Sequence, residues 1–239
     1  MWDETLMESL KHVRAGRTFT REEMNEREQT VTLPRLYAIL DAGLVSDTEG
    51  QLRTAHELAA GGVTLIQYRN KTGSPREILD QARALRQSLL ATVTLILNDR
   101  ADICLAAGFN GVHVGQDDLS PAAVRQIIGL DRWLGVSTHN PEQVRLADAT
   151  DADYIAIGPI FPTSSKDNPD PVVGLEGIRR ARELTRKPLV AIGGITRQNC
   201  RSVVGAGVDC VAVISDLIAS PRAAAQEFLA FLPPLRVNS

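Results

Sequence analysis

Short apolar segments alternate with segments of helical periodicity along the whole chain from residue 36 onward. Runs with strand character occupy eight positions: residues 36–41, 64–68, 93–97, 111–114, 133–136, 154–157, 189–192 and 210–214. Helical spacing of apolar residues predicts helices near 50–60, 75–90, 99–107, 120–129, 140–148, 174–186, 196–206 and 221–231. Four of these helices begin with an N-cap candidate followed by proline: Ser74, Ser120, Asn140 and Ser220.

Eight strand–helix units within about 200 residues are typical of a closed parallel barrel. The competing architecture is an open, doubly wound sheet, which usually has fewer strands and a glycine-rich loop after the first strand. Here the first strand is followed by Asp41-Ala42-Gly43, and the glycine pair Gly193-Gly194 comes only after the seventh strand. The sequence therefore predicts an α/β fold, a (β/α)₈ TIM barrel that forms one catalytic domain over residues 34–239.

Residues 1–33 differ from the barrel region and are predicted to form a helical extension without a catalytic role. Apolar residues at helical spacing (Trp2, Leu6, Leu10, Val13) precede a segment of alternating Glu and Arg. A surface or capping helix is one interpretation, and a contact in a homo-oligomer is the other.

Charge and cysteine content exclude several classes of protein. A net charge of -3 argues against a nonspecific nucleic-acid-binding protein, which would usually carry a basic surface. The three cysteines, Cys104, Cys200 and Cys210, have no CxxC spacing, so neither a disulfide framework nor a zinc site is expected. No apolar run is long enough to span a membrane, and residues 1–10 lack the apolar core of a signal peptide. We therefore expect a cytoplasmic protein with no membrane partner.

Cations follow the second predicted strand at one end of the barrel. Because side chains alternate along a strand, Gln67, Arg69 and Lys71 share the face of Leu65. If that face points into the barrel, two cations meet at its mouth and need an anionic partner such as a phosphate. A solvated, charged loop end is the alternative.

Carboxylates follow the third and fourth strands. Asn98 and Asp99 end the third apolar run, and Asp118 shares the parity of Val112 and Val114, from which we expect it to lean inward. Two carboxylates near cations and phosphate suit Mg²⁺, although Asp99 could simply cap the next helix. His113, of the opposite parity, is expected to face the helices and to be structural.

Hydrogen-bond donors for phosphate follow the remaining strands. Ser137 ends the fifth strand near His139, which is either a general acid or base or only a neighbour of the next helix. The loop after the sixth strand contains Thr163, Ser164, Ser165 and Lys166, and is either an anion-binding lid or a flexible surface loop. Gly194 and Ser215 follow strands seven and eight, where barrels often bind phosphate through backbone amides. Two anion zones suggest two phosphorylated substrates.

This ordered set of motifs resembles the thiamine-phosphate synthase family over about residues 35–232. The motifs are Gln67-x-Arg69-x-Lys71, Asn98-Asp99, Gly115-Gln116-Asp117-Asp118-Leu119, Gly135-Val136-Ser137-Thr138-His139, Gly158-Pro159-Ile160-Phe161-Pro162-Thr163 with Lys166, and Ile192-Gly193-Gly194-Ile195. Each motif is weak by itself, and their order and spacing carry the resemblance. Two positions depart from the family pattern: Asn70 stands where Glu is usual, and Ser165 where Thr is more usual.

The resemblance implies a reaction in which a hydroxymethylpyrimidine diphosphate is joined to a thiazole monophosphate and pyrophosphate is released. It implies that the pyrimidine diphosphate is bound by Gln67, Tyr68, Arg69, Asn70, Lys71, Asn98, Ser137 and Lys166. Of these, it implies a catalytic role for Arg69, Lys71, Ser137 and Lys166. It assigns Mg²⁺ to Asp99 and Asp118, and the thiazole phosphate to Thr163, Ser164, Ser165, Gly194, Ile214 and Ser215.

Two alternatives share the barrel. A thiazole tautomerase-like paralogue would isomerise the thiazole phosphate without a diphosphate or Mg²⁺. A non-catalytic phosphate-binding barrel would act as a regulator. The carboxylates and cations that both alternatives could lose are present here.

Overall fold

Eight parallel strands form a closed barrel in a computed structural model that describes residues 31–163 and 170–233. The strands are β1 (Leu36–Asp41), β2 (Leu65–Arg69), β3 (Thr94–Asn98), β4 (Gly111–Val114), β5 (Trp133–Thr138), β6 (Tyr154–Ile157), β7 (Leu189–Ile192) and β8 (Cys210–Val213). Each strand pairs with the next, and β8 returns to pair with β1, with Leu36 opposite Val211. The prediction of a (β/α)₈ barrel is confirmed.

Helices follow the strands and cover the outside of the barrel. They are α1 (Thr48–Ala60), α2 (Pro75–Ser88), α3 (Ala101–Ala106), α4 (Pro121–Ile128), α5 (Pro141–Asp148), α6 (Gly174–Leu184), α7 (Cys200–Gly205) and α8 (Pro221–Phe231), with a short 3₁₀ helix at Ser215–Leu217. None of the helices in the described part of the chain is both long and apolar enough to cross a membrane.

Three of the four predicted N-caps are present. The side chains of Ser74, Ser120 and Asn140 each accept a hydrogen bond from the backbone N–H three residues later. The prediction for Ser220 is wrong, because its side chain makes no capping hydrogen bond. Its ψ of 71° departs from the extended backbone that places an N-cap side chain over the first turn.

Two apolar layers, one on each side of the sheet, hold the barrel together. Residues of one parity, such as Leu40 and Ile66, pack with the helices in an outer layer. Residues of the other parity fill the barrel in an interior layer that contains Tyr37, Leu65 and Tyr154. Complete burial of an aliphatic or aromatic side chain stabilises a fold by roughly 1.5–3 kcal/mol, so both layers contribute substantially.

The fourth strand reverses the predicted parity. Val112 and Val114 belong to the outer layer, whereas His113 lies inside, where its ring stacks on Tyr154 at a centroid distance of 5.5 Å. Gly135 on β5 makes room for this ring pair, since a Cβ there would lie 2.1 Å from the Cζ atom of Tyr154 and 2.4 Å from the Nδ1 atom of His113. The expectation that His113 faces the helices is therefore wrong.

The predicted N-terminal extension lies mostly outside the described residues, which begin at residue 31. Its last residue, Leu33, is buried with the interior layer of the barrel. Arg35 follows, and its guanidinium donates to the carbonyls of Asp209 and Pro233 at 2.9 and 3.1 Å. The start of the barrel is thereby tied to the end of its last helix.

Candidate active site

The carboxyl ends of β1 and β2 place a cation beside a carboxylate. The guanidinium of Arg69, at the end of β2, is paired with the carboxylate of Asp41, at the end of β1. The other oxygen of Asp41 accepts a hydrogen bond from the backbone N–H of Gly43 at 2.8 Å. Both partners are largely buried. The pair therefore holds Arg69 at the barrel mouth, which excludes the interpretation of Arg69 as part of a solvated loop end.

Gln67 lies one layer below Arg69, inside the barrel. Its side chain is 3% exposed, and its Nε2 atom donates to the hydroxyl of Tyr37 at 2.8 Å. The interior orientation predicted for Gln67, Arg69 and Lys71 from the parity of Leu65 agrees with this placement.

Tyr68 and Asn70 lie on the opposite face of β2 from Gln67. The hydroxyl of Tyr68 donates to Gln81 of α2, and Asn70 donates to that same hydroxyl at 3.2 Å. Burial raises the pKa of Tyr68 to about 12, so this hydroxyl stays protonated. The Oδ1 atom of Asn70 accepts from the backbone N–H of Gly73 at 2.8 Å. The side chains of Tyr68 and Asn70 therefore lie apart from that of Gln67. Their hydrogen bonds stabilise the turn that leads into α2.

Asp99 has an unusual backbone conformation. With φ of 62°, it is the only non-glycine residue with positive φ in the described ranges 31–163 and 170–233. Its backbone N–H donates to the carbonyl of His113 at 2.8 Å, and helix α3 begins two residues later without a side-chain cap. The interpretation of Asp99 as a helix cap is therefore excluded, and its carboxylate is paired with the ammonium of Lys71.

Asp118 lies beside Asp99, but the strand parity that we used to predict this position does not explain it. It stands in the turn after β4, where its Oδ2 atom accepts from the backbone N–H of Gly115 at 2.8 Å. The parity argument from Val112 and Val114 was wrong, because those residues face the helices. Burial raises the pKa of Asp99, Lys71 lowers it, and the neighbouring Asp118 carboxylate raises it again.

A divalent cation fits this pair of carboxylates. Two adjacent carboxylates repel each other, and a cation between them would relieve both that repulsion and the cost of burial. The buried Nδ2 atom of Asn98 has no hydrogen-bond partner among the residues that the structure describes, which leaves it available to a ligand. The same part of the chain contains no cluster of three or more His, Cys, Asp or Glu side chains arranged for a metal. Mg²⁺ usually takes one or two protein carboxylates together with water and phosphate oxygens, so a pair of carboxylates could hold it.

Ser137, near the end of β5, is held from inside the barrel by His113. The Nε2 atom of His113 lies 2.8 Å from the Oγ atom of Ser137, and its Nδ1 atom lies 3.1 Å from the hydroxyl of Tyr154. Burial lowers the pKa of His113 to about 4, so its ring is neutral at pH 7. His113 and Tyr154 were missed from the sequence. Gly135, which separates two bulky neighbours, is the signal that could have indicated them.

His139 connects the ends of β5 and β6. Its Nδ1 atom lies 2.6 Å from the carbonyl oxygen of Gly158, to which it must donate, and its Nε2 atom lies 3.4 Å from Asp170. Its backbone N–H donates to Gln143 of α5. These contacts give His139 a role in holding the start of the loop that follows β6, which we call the β6 loop.

The β6 loop packs on the glycine pair that follows β7. The backbone N–H of Phe161 donates to the carbonyl of Gly193 at 3.0 Å. Gly194 has φ of 64°, and a Cβ there would lie 2.7 Å from both the Cβ of Phe161 and the carbonyl oxygen of Pro162. Thr163 ends the described part of this loop, and the predicted residues Ser164, Ser165 and Lys166 lie outside the described residues.

Ile214 and Ser215 follow β8 and open the 3₁₀ helix. Ile214 packs on the interior layer, and Ser215 is exposed. The carboxylate of Asp216 accepts from the backbone N–H of Arg197 at 2.9 Å and also from its guanidinium. This contact joins the loop after β7 to the 3₁₀ helix, so Gly194 and Ser215 stand on two connected loops.

Comparison with known proteins identifies one family. The model of the thiamine monophosphate synthase family matches residues 36–217. A thiamine-phosphate synthase of Koribacter versatilis is 61% identical over 203 residues, which cover 84% of this chain and 96% of that protein. A thiamine-phosphate synthase of Chloroflexus aurantiacus is 43% identical over 189 residues, covering 78% and 86%.

A solved structure agrees with this similarity. A thiamine phosphate pyrophosphorylase from Pyrococcus furiosus superimposes with a TM-score of 0.74 at 33% identity, covering 87% of this chain and 97% of that one. A 3-hexulose-6-phosphate synthase, at 21% identity and a TM-score of 0.63, shares the fold alone.

Proposed function

The chain belongs to the thiamine monophosphate synthase family, and we propose that it joins a pyrimidine diphosphate to a thiazole phosphate. The proposed substrates are 4-amino-2-methyl-5-(diphosphooxymethyl)pyrimidine and a thiazole ethyl phosphate or its carboxylated form. The products are thiamine phosphate and pyrophosphate, with carbon dioxide from the carboxylated substrate. The protein is thus a transferase of a pyrimidinylmethyl group in thiamine biosynthesis.

The observation that carries this proposal is the sector of the barrel mouth where cations and carboxylates meet. Arg69 is paired with Asp41, and Lys71 is paired with Asp99, which has Asp118 as its neighbour. A diphosphate with a bound divalent cation needs both signs of charge at one place, whereas a monophosphate can be held by amides alone. This sector therefore favours a diphosphate substrate.

The diphosphate would be gripped by Arg69, Lys71 and Ser137. Arginine offers two parallel donors to phosphate oxygens, and lysine adds a compact charge. We include Lys166 in this set from the family resemblance, since that residue lies outside the described residues.

Asp99 and Asp118 are the residues that we propose to hold Mg²⁺. The ion would neutralise negative charge on the diphosphate as it departs. We propose that Asn98, whose buried Nδ2 atom has no hydrogen-bond partner in the described part of the chain, contacts the substrate beside it.

The proposed mechanism is dissociative. The bond between the pyrimidine methylene carbon and the diphosphate oxygen breaks, and its electron pair leaves with pyrophosphate. The resulting pyrimidinylmethyl cation is captured by the lone pair of the thiazole nitrogen. Negative charge on the leaving group grows in the transition state, so Arg69, Lys71 and Ser137 bind it more tightly there than in the ground state.

We propose that the thiazole phosphate binds on the other side of the mouth. Gly194 and Ser215 open adjacent, connected loops, and the glycine allows a close approach of a phosphate to the backbone. Thr163 and Ile214 border the same region, and Ser164 and Ser165 are added from the family resemblance. Two phosphorylated small molecules are thus the proposed partners, in a cytoplasmic enzyme that can be a homo-oligomer.

One assay tests this proposal against its alternatives. The protein is mixed with both phosphorylated substrates, with and without Mg²⁺, and pyrophosphate release is measured. Release that depends on Mg²⁺ is expected. Isomerisation of the thiazole alone would identify a tautomerase, and substrate binding without any product would identify a regulator.

A further inference from the structure

Five polar side chains form a continuous hydrogen-bonded chain through the interior of the barrel. Gln67 contacts Tyr37 at 2.8 Å, and Tyr37 contacts Tyr154 at 3.0 Å. Tyr154 contacts the Nδ1 atom of His113 at 3.1 Å, and the Nε2 atom of His113 contacts Ser137 at 2.8 Å. The two tyrosines are no more than 1% exposed. This chain connects the two side chains that flank the proposed pyrimidine diphosphate site.

The orientation of one amide determines the direction of every hydrogen bond in this chain. Gln67 donates to Tyr37 through Nε2, and the buried proton of Tyr37 itself needs an acceptor, for which we assign the hydroxyl of Tyr154. The proton of Tyr154 must then point to the Nδ1 atom of His113. Because the Nδ1 atom accepts from Tyr154, the ring carries its proton on Nε2 and donates it to Ser137. The hydroxyl proton of Ser137 is thereby left for an acceptor outside the chain.

We propose that Tyr37, Tyr154 and His113 are positioning residues that fix Ser137 as a hydrogen-bond donor toward the diphosphate. This inference rests on the proposed function, because Ser137 contacts the diphosphate only there. The same polarity leaves the Oε1 atom of Gln67 as an acceptor at the other end of the chain.

If every hydrogen bond in this chain had the opposite direction, Ser137 would be unsuited to binding an anionic substrate. If Gln67 accepted from Tyr37, each later bond would reverse, and the proton of His113 would lie on Nδ1. Ser137 would then donate into the barrel and present only lone pairs to the phosphate oxygens. The two directions can be distinguished by experiment, because the neutral ring of His113 carries its proton on Nε2 in one and on Nδ1 in the other.

The tautomer can be read from the ¹⁵N chemical shifts of labelled histidine in the free protein, with His113→Gln used to assign the signal. The Nε2–H form is expected. The Nδ1–H form, or comparable populations of both, would overturn the proposal. This measurement needs no substrate, so its result does not depend on whether the proposed reaction occurs.

Gln67→Glu is designed to reverse the chain, because a carboxylate can only accept from Tyr37. The His113 signal is expected to move to the Nδ1–H form. Tyr68→Phe is the matched control, since it removes a buried hydroxyl of the same strand that belongs to the outer layer. An unchanged tautomer in Gln67→Glu, or a changed one in Tyr68→Phe, would overturn the assigned role of Gln67.

A double-mutant cycle of kcat values distinguishes a positioning role of this chain from a merely structural one. Tyr154→Phe is expected to lower kcat by about 10-fold, the scale of losing one hydrogen bond of roughly 1.4 kcal/mol. The same substitution in a Ser137→Ala background is expected to lower kcat no further, because the chain acts through Ser137. Additive losses would contradict the proposal. If the wild-type protein releases no pyrophosphate at all, the proposed function fails, while the tautomer still decides the polarity.

Discussion

The ammonium group of Lys71 is paired with the carboxylate of Asp99, although the two residues follow different strands of the barrel. Lys71 is half exposed, whereas Asp99 is largely buried. The cation thus pairs with the carboxylate that we propose as a ligand of Mg²⁺. Binding of Mg²⁺ and diphosphate would exchange partners, so that Asp99 faces the metal and Lys71 faces phosphate oxygens.

Replacing Lys71 with methionine is expected to lower kcat for pyrophosphate release by at least ~10²-fold, the scale of losing one charge-stabilising donor. Arg53→Met is the control for loss of a surface charge, because Arg53 is exposed and pairs only loosely with Glu49, at 3.8 Å. It is expected to leave kcat unchanged. Equal effects of the two substitutions would contradict the role of Lys71.

Asp118→Asn is expected to raise the Mg²⁺ concentration for half-maximal activity by at least about 10-fold, because a carboxylate ligand is lost. The amide oxygen can still accept from Gly115, so the turn after β4 should persist. Asp102→Asn is the control, since Asp102 is an exposed carboxylate paired with Arg100. A Mg²⁺ titration checks both, and a shift in Asp102→Asn alone would refute the metal assignment.

The left-handed backbone of Asp99 predicts that glycine at this position gives a more stable fold than alanine. At a φ of 62°, alanine is strained and glycine is not, so Asp99→Gly should exceed Asp99→Ala in free energy of unfolding by about 1 kcal/mol. In ordinary strand or helix positions the order is the reverse. Urea unfolding with equal m-values checks this difference, and a more stable Asp99→Ala would contradict the left-handed conformation.

The positions of strands and helices could be predicted because short apolar runs alternate with segments of helical spacing, and capping signals at Ser74, Ser120 and Asn140 mark the start of three helices. β4 shows why orientation was harder. In a closed parallel barrel both faces of a strand are buried, so the apolar parity of Val112 and Val114 does not distinguish inside from outside. The inward position of His113 depends on the space at Gly135, which lies on the next strand.

The candidate site could be predicted in part for a similar reason. Gln67 and Arg69 lie within or at the end of β2, where a period of two still holds. Asp118 stands in a turn, where that period no longer applies, and its place beside Asp99 depends on the backbone of Gly115. The chain from Tyr37 to Ser137 joins strands distant in sequence, so the pattern of any one strand does not show it, although Gly135 is a signal for His113 and Tyr154.

Gly194→Ala is expected to raise KM for the thiazole phosphate by about 10-fold or more. The added Cβ would meet Phe161 and Pro162 at 2.7 Å, so the loop must move and charged hydrogen bonds worth roughly 1.5–3 kcal/mol would be weakened. Gly205→Ala is the matched control, because a Cβ there meets nothing within 4 Å. Equal KM values for Gly194→Ala and the wild type would show that the thiazole phosphate does not bind at this loop.

His113 predicts a loss of stability in mildly acidic solution. Its pKa is about 4 in the fold and about 6.5 in the unfolded chain, so between these values only the unfolded state takes up the proton. The stability due to the neutral ring is therefore complete above pH 6.5 and falls as the pH drops toward 4, by at most about 3 kcal/mol. His113→Gln lacks this titration, so the difference in unfolding free energy between wild type and variant should shrink by that amount from pH 7 to pH 4. Parallel urea-unfolding profiles for the two proteins across this range would show that His113 is not held neutral inside the barrel.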